Sequence, residues 1–198
     1  MDIAESLTRK GAAAVIVNYS RSADEARATA ERLEDLGCEA EAVAADVSDD
    51  AAVRRTAERV RAAHGRVDAL VCNAGTTRWV PFPDLEGLTD QVWRRLMGVN
   101  LMGPFYCARA FAPDLRAARG AIVNAASIAG PRATGSSWHI DRVGEQVFSE
   151  MAAKEELKAP LRRTARPEHV AQMVTSLLES DLVTGETLIG DGGRHLGY

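Results

Sequence analysis

The sequence predicts an α/β fold built on a parallel sheet. Two observations predict it. Short apolar runs alternate with stretches of helical spacing, the pattern of strand–helix–strand units joined by right-handed crossovers. One run, Val67, Leu70, Val71 and Cys72, has the continuous apolar character of a strand covered on both faces. It stops at Asn73-Ala74-Gly75. Asn tolerates unusual dihedrals and Gly adopts them without steric cost, so a tight turn follows the strand. Ligands of open parallel sheets bind just beyond the carboxyl ends of the strands. This turn is therefore the first candidate for a ligand contact; the alternative is an ordinary strand exit.

In chain order, residues 2–10 read as a short helix, with Ile3 and Leu7 four apart and Gly11 at the stop. Residues 12–17 form a β-branched strand. Ser22 is placed to cap a helix over 23–36, which Gly37 ends. A strand over 41–45 closes at Asp46-Val47, and Ser48 is placed to cap a helix reaching about His64. Gly65 breaks it before the Val67 strand. Residues 76–87 are a loop with two prolines and Trp79. Helical periodicity runs over 88–119, with Asn100 and Gly103-Pro104 in its middle, where proline forces a kink or a boundary. Residues 121–126 are another buried strand. A helix over 140–157 carries Val143, Val147 and Met151 on one face, and Pro167 opens a further helix. Residues 186–189 read as a final strand before the Asp191-Gly192-Gly193 turn.

With 198 residues, 46% hydrophobic and 26% charged, the chain fits one domain with a sizeable core. A net charge of −4 without a basic block argues against nucleic acid as the main partner. No apolar run approaches the ~20 residues that span a bilayer. The acidic, amphipathic start does not suit a secretory signal. Cys38, Cys72 and Cys107 have no metal-ligand spacing and read as reduced thiols, so a cytoplasmic location is expected and no metal.

Four stretches carry a joint signal: Asp46-Val47, Asn73-Ala74-Gly75, Val99-Asn100-Leu101 and Asn124-Ala125-Ala126-Ser127-Ile128-Ala129-Gly130. Thr184-Gly185-Glu186 through Gly192-Gly193 follows in order. Together they resemble the short-chain dehydrogenase/reductase family, and most of all its members of the 3-oxoacyl-carrier-protein-reductase type. The resemblance spans nearly the whole chain, 1–198, as one dinucleotide-binding domain. It implies a doubly wound, Rossmann-like parallel sheet and a homodimer or homotetramer joined through the helices around 96–115 and the C-terminal strand.

The residues also bear on the cofactor. An acidic residue after the second strand of such a sheet holds the ribose 2′-hydroxyl of NAD. Here the stretch reads Ser20-Arg21-Ser22, with no carboxylate to repel a 2′-phosphate. Arg21 can pair with that phosphate and Ser20 or Ser22 can donate to it, which favours NADP (NADPH) over NAD; the alternative is a solvated surface arginine. By resemblance, Asp46 meets the adenine amino group, Val47 packs on the ring, and Asn73, Ala74 and Gly75 line the ribose. The resemblance also implies a ketone or secondary-alcohol substrate. Ser127 would orient the carbonyl oxygen, and Asn100 would hold a water in the proton path. Trp79, Phe82, Trp138 and Phe148 fall in segments that border the family's active site, and suggest an apolar pocket or plain loop packing.

The chain departs from the family in two places. The tyrosine and lysine that complete the family's site would fall at Ile140 and Gly144. Tyr19, Tyr106 and Tyr198 have no lysine four residues on. The helix bearing that pair and the next strand are missing as well, with the seam near Ser137 and Trp138. The first strand and its glycine-rich phosphate loop are also missing, since Met1 falls inside the helix that follows them. Because that strand lies at the centre of a doubly wound sheet, its loss is expected to leave a gap between the strands at 12–17 and 67–72. Three readings follow. The first is an NADPH-dependent carbonyl reductase whose functional polypeptide contains more than these residues, which a mass above 21.3 kDa would show. The second is a truncated, inactive relative that binds a partner or sister subunit. The third, an unrelated α/β binding module, fits the joint motifs poorly. If the chain alone were active, His139 would be the nearest group titrating near neutrality.

Overall fold

The computed structural model describes residues 2–81, 83–127 and 144–196. The described elements are α1 (Ile3–Arg9), β1 (Ala14–Tyr19), α2 (Ala23–Asp35), β2 (Glu39–Ala44), α3 (Asp50–His64) and β3 (Ala69–Cys72). They continue with α4 (Asp90–Met97), a π-helical turn (Gly98–Met102), α5 (Gly103–Ala118) and β4 (Ala121–Asn124). After residue 143 come α6 (Glu145–Lys158), α7 (Pro167–Leu178) and a short 3-10 turn (Arg194–Leu196). The expected seam at Ser137–Trp138, His139, and the aromatic residues Phe82 and Trp138 lie outside the described residues.

The helix boundaries follow from local chemistry. Asp2 accepts the Glu5 amide at 2.9 Å and caps α1. Two expected caps are corrected. Ser22 stands before α2 but its side chain makes no capping bond. Asp49, not Ser48, caps α3, taking the amides of Ala51 and Ala52 at 2.9 and 3.2 Å. The Ser48 hydroxyl is instead committed to Asp46 at 2.7 Å. The helical stretch from 88 to 119 divides where proline was expected to disturb it. Pro104 has no N–H to give the Asn100 carbonyl. The ladder widens there to i→i−5, and the Gly103 amide donates to the Gly98 carbonyl. At the end of α5 the chain turns through Arg119 at φ 55°. Gly120 then passes so close to β3 that a Cβ would lie 2.3 Å from the Asp68 carbonyl oxygen.

The strands form two parallel ladders. Ala14 lies opposite Glu39 and Tyr19 opposite Ala44 in one; Ala69 lies opposite Ala121 and Cys72 opposite Asn124 in the other. Among the described residues the ladders do not pair with each other, as a doubly wound sheet without its central strand requires. The strand expected over 186–189 does not form. A strand needs a neighbour, and among the described residues none pairs with it.

Helices hold the ladders together. Val53, Ala57 and Val60 of α3 pack with Ala110, Phe111 and Leu115 of α5 into one buried cluster. Ile16 of β1 and Leu70 of β3 both rest on it. Arg61 grips Asp114 with two bonds of 2.8 and 2.7 Å, and Arg109 reaches Asp50 at 2.8 Å, so α3 and α5 are tied at both ends. A second layer joins α1 to α2, α7 and β1, while α7 meets β4. Its core includes Leu33 and Ala171, both fully buried. The expected apolar face of α6 is not buried: Val147 is exposed. Cys38, Cys72 and Cys107 are free. No described helix is long and apolar enough to cross a membrane.

Candidate active site

All the strand exits lie on one edge. Because β1 and β2 run parallel in register, Ser20-Arg21-Ser22 and Ala45-Asp46 leave their ladder together. Asn18 fastens this pair of exits, its amide donating to the Ala45 carbonyl at 3.1 Å. In the other ladder Asn73 and Ala125 leave together, and the Ala125 amide donates to the Cys72 carbonyl at 3.0 Å. Ser127 stands two residues beyond and is exposed.

The π turn joins the two exits. Its first and last neighbours are glycines because the loop after β2 presses on it. A Cβ at Gly98 would lie 3.2 Å from Ser48 Cβ, and one at Gly103 would lie 2.9 Å from Val47 Cγ2. Between these glycines Asn100 reaches the other way. Its Oδ1 accepts the Thr76 amide and its Nδ2 donates to the Thr76 carbonyl, both at 2.8 Å. This two-point grip fixes the backbone just past Asn73-Ala74-Gly75. It uses one of two acceptor positions and one of two donors on the amide, so each end keeps capacity for another partner.

Arg95 of α4 completes the assembly, a residue that motif reading missed. Its guanidinium donates to Asp46 Oδ2 at 2.5 Å and to Ser48 Oγ at 3.1 Å. Asp46 Oδ1 in turn accepts the Ser48 amide and hydroxyl at 3.0 and 2.7 Å. Burial alone would raise the Asp46 pKa. The two bonds from Ser48 and the Arg95 guanidinium outweigh it and hold the carboxyl at about 2. The only sequence hint of Arg95 was a basic residue in the last turn of a helix leading into Asn100. Cys72, at the end of β3, is held protonated by its contact with the Cys107 thiol and by burial.

The backbone at this edge is open. Asn73, Ala74 and Gly75 are exposed, and a Cβ at Gly75 would meet only Asn100 Oδ1, at 3.6 Å. Backbone can therefore be approached closely there. Arg21 is exposed and makes no ion pair with any described residue. Among the described residues no cluster of side chains could hold a metal ion. Trp79 is 44% exposed at the rim, and Phe148 on α6 is half-buried.

The chain belongs to the short-chain dehydrogenase family, whose model matches residues 1–158. It is 35% identical to a protein of Streptomyces violaceoruber named for a ketoacyl reductase of the granaticin polyketide synthase. That alignment covers 92% of this chain and 86% of the relative. It runs over 218 positions, more than the chain's own 198 residues, so the relative carries residues without counterparts here. Among solved structures, a metagenomic short-chain oxidoreductase in complex with NADP superimposes with a TM-score of 0.71 at 32% identity, over 94% of this chain and 89% of that one. A gluconate 5-dehydrogenase from Burkholderia cenocepacia, in complex with NADP and tartrate, gives 0.76 at 27% identity, over 99% and 90%. The fold is therefore the α/β doubly wound fold of this family, and the chain is related to oxidoreductases.

Proposed function

We propose that the chain is the core of an NADP(H)-dependent oxidoreductase that interconverts a ketone and a secondary alcohol. The observation that supports this reading is the Asn100–Thr76 grip, which fixes the turn just past Asn73, while the parallel ladders put Asp46, Asn73 and Ser127 beyond carboxyl ends of strands. Arg21 and the flanking serines would bind the 2′-phosphate. Asp46 would meet the adenine, Val47 would pack on it, and Asn73, Ala74 and Gly75 would line the ribose. When bound, NADPH supplies the hydride. Ser127 would then hold the carbonyl oxygen, and the free capacity of Asn100 would hold a water beside it. The proton donor is not among these residues, because no Tyr-x-x-x-Lys pair occurs in the sequence. The extra positions in the relative's alignment support a functional polypeptide that contains more than these 198 residues.

That missing donor favours one second reading, an inactive relative that binds a nucleotide or a sister subunit. The two separate cleanly. An NADPH oxidation assay with ketones and β-ketoacyl thioesters supports the enzyme if turnover is seen. NADPH binding without turnover supports the relative. Replacing Arg21 with Ala is expected to weaken NADPH tenfold or more and NADH hardly at all; equal losses reject the phosphate role. A homo-oligomer is proposed through Trp93, Met97, Leu101 and Phe105, four exposed apolar residues each four apart along α4, the π turn and α5. A monomer in light scattering rejects it. Among the described residues the C-terminal segment makes no strand that could extend a sheet between subunits.

A further inference from the structure

Two of the three cysteines face each other behind the strand-exit edge. Side chains alternate along β3, so Cys72 shares a face with Leu70, which rests on the α3/α5 cluster. On α5, Cys107 lies three and four residues before Ala110 and Phe111 of that cluster, on the same helix face, and packs against it. α5 runs antiparallel to β3, because Gly120, just past its end, lies against Asp68, just before β3 starts. Two residues of strand advance about 6.6 Å and four of helix about 6 Å. The step from Leu70 to Cys72 therefore matches the step from Phe111 back to Cys107. The two thiols meet in hydrogen-bonding contact. Cys38, the third cysteine, stands apart before β2, where its thiol donates to the Glu39 carbonyl at 3.4 Å.

The two sulfurs are not equivalent. The Cys72 thiol donates to the Cys107 sulfur. That bond, together with burial, pushes the Cys72 thiol up, and the same bond brings the Cys107 thiol down. Cys72 is 8% exposed, whereas Cys107 is half-buried. The more accessible sulfur is thus the one favoured as thiolate, and a second thiol touches it from behind. This is the arrangement of an attacking and a resolving cysteine.

Position gives the pair a consequence. Cys72 is joined directly to Asn73, and its carbonyl receives the Ala125 amide. Cys107 lies one turn into α5 from Gly103, which follows the π turn that carries Asn100. A disulfide bond is only ~2.05 Å long, much shorter than a contact between two thiols. Forming it draws the end of β3 onto the first turns of α5. The Asn100–Thr76 grip spans those same two elements.

We propose that Cys72 and Cys107 are a modification site for hydroperoxides: oxidation joins them in a disulfide that shifts the turn after β3 and weakens nucleotide binding there. With hydrogen peroxide, the Cys107 thiolate attacks one oxygen and the O–O bond breaks. The departing hydroxide takes the proton that the Cys107 thiol gave up and leaves as water. The Cys72 sulfur then attacks the sulfenic sulfur of Cys107. The S–S bond forms, the S–O bond breaks, and the hydroxide leaves with the Cys72 proton as a second water. Two electrons pass from the sulfurs to the peroxide. The effect on nucleotide binding rests on the NADP(H) reading above; the linkage does not.

The whole 198-residue protein is treated with a small excess of hydrogen peroxide, its remaining thiols are alkylated, and peptide masses locate any linkage. The expected product has lost two hydrogens, links Cys72 to Cys107 and carries the alkyl group on Cys38; dithiothreitol reverses it. Cys38→Ala oxidises in the same way, and Cys107→Ser forms no link. Amide exchange at Thr76 should change at least tenfold between the reduced and oxidised forms, and NADPH affinity should fall at least tenfold on oxidation. Stable sulfinic acid at Cys107, a link through Cys38, or no link at all overturns the proposal. A Cys72–Cys107 link that leaves Thr76 exchange unchanged overturns its coupling to the site. Failure of the reduced protein to bind NADPH would reject the cofactor reading instead, with the linkage and the Thr76 exchange still deciding this one.

Discussion

The exit edge of the molecule and its middle are built differently. At the edge, side-chain bonds hold the exits: Asn18 to Ala45 within the first ladder, Arg95 of α4 to Asp46 and Ser48, and Asn100 of the π turn to Thr76 beyond the second. In the middle, among the described residues, no strand bridges them, and only the helical layers span the interval. The contrast teaches that side-chain and loop contacts can order a strand-exit edge where, among the described residues, no strand joins the ladders. Loop contacts and a π turn place Asp46, Asn73 and Asn100 together even where strand pairing is interrupted.

The largest effect separates the two layers. Leu33→Ala and Leu115→Ala each remove a buried leucine and are expected to cost about 2–5 kcal/mol. Leu33 serves the β1–β2 side, so its loss should speed amide exchange in β1 and β2 while sparing β3 and β4. Leu115 belongs to the cluster beneath both Ile16 and Leu70, so its loss should loosen both ladders. Equal loosening by the two variants would mean that the ladders behave as one sheet.

Next comes the π turn. Gly103→Val drives a side chain into Val47, and overpacking of this kind costs about 1–3 kcal/mol. Denaturant titration checks the loss, and NADPH affinity should fall with it because the Asp46–Val47 loop must shift. An unchanged midpoint would show that the loop yields freely. Asn100→Ala removes two bonds at an exposed site, for about 1 kcal/mol each at most. Exchange should quicken at the Thr76 amide and leave Ser48 alone; a uniform change would deny the grip its local role.

The smallest effect is electrostatic. Asp46 has a folded pKa of about 2 against an ordinary 3.8. A depressed carboxylate adds stability that is complete above pH 3.8 and is lost as pH falls through about 2. Its side chain is 38% exposed, so screening keeps this below about 1 kcal/mol. Asp46→Asn should lower the urea midpoint at pH 5 and leave it unchanged near pH 2. A constant gap between the two proteins across that range would rule out the ionised Arg95–Asp46 pair as its source.

Much of this was legible in the sequence. The strand and helix order through residue 127 follows from periodicity, and the missing central strand predicts the split between β1 and β3. The strand-exit turns were visible because glycines and asparagines at strand ends favour turns. What escaped was set by tertiary neighbours. Ser48 looked like a cap, but its hydroxyl is drawn to Asp46, and Asp49 beside it does the capping. Arg95 carried no motif because its role depends on a carboxylate brought near by folding. Residues 186–189 have strand composition, yet composition cannot supply the strand they would pair with.

The central claim is that both exit edges form one NADP(H) site. Residue-resolved amide NMR during an NADPH titration tests it most directly. The account predicts that residues 20–22 of the first ladder's exit and residues 73–76 of the second shift together, with one shared dissociation constant. Shifts confined to one ladder's exit, or none at either, would contradict it.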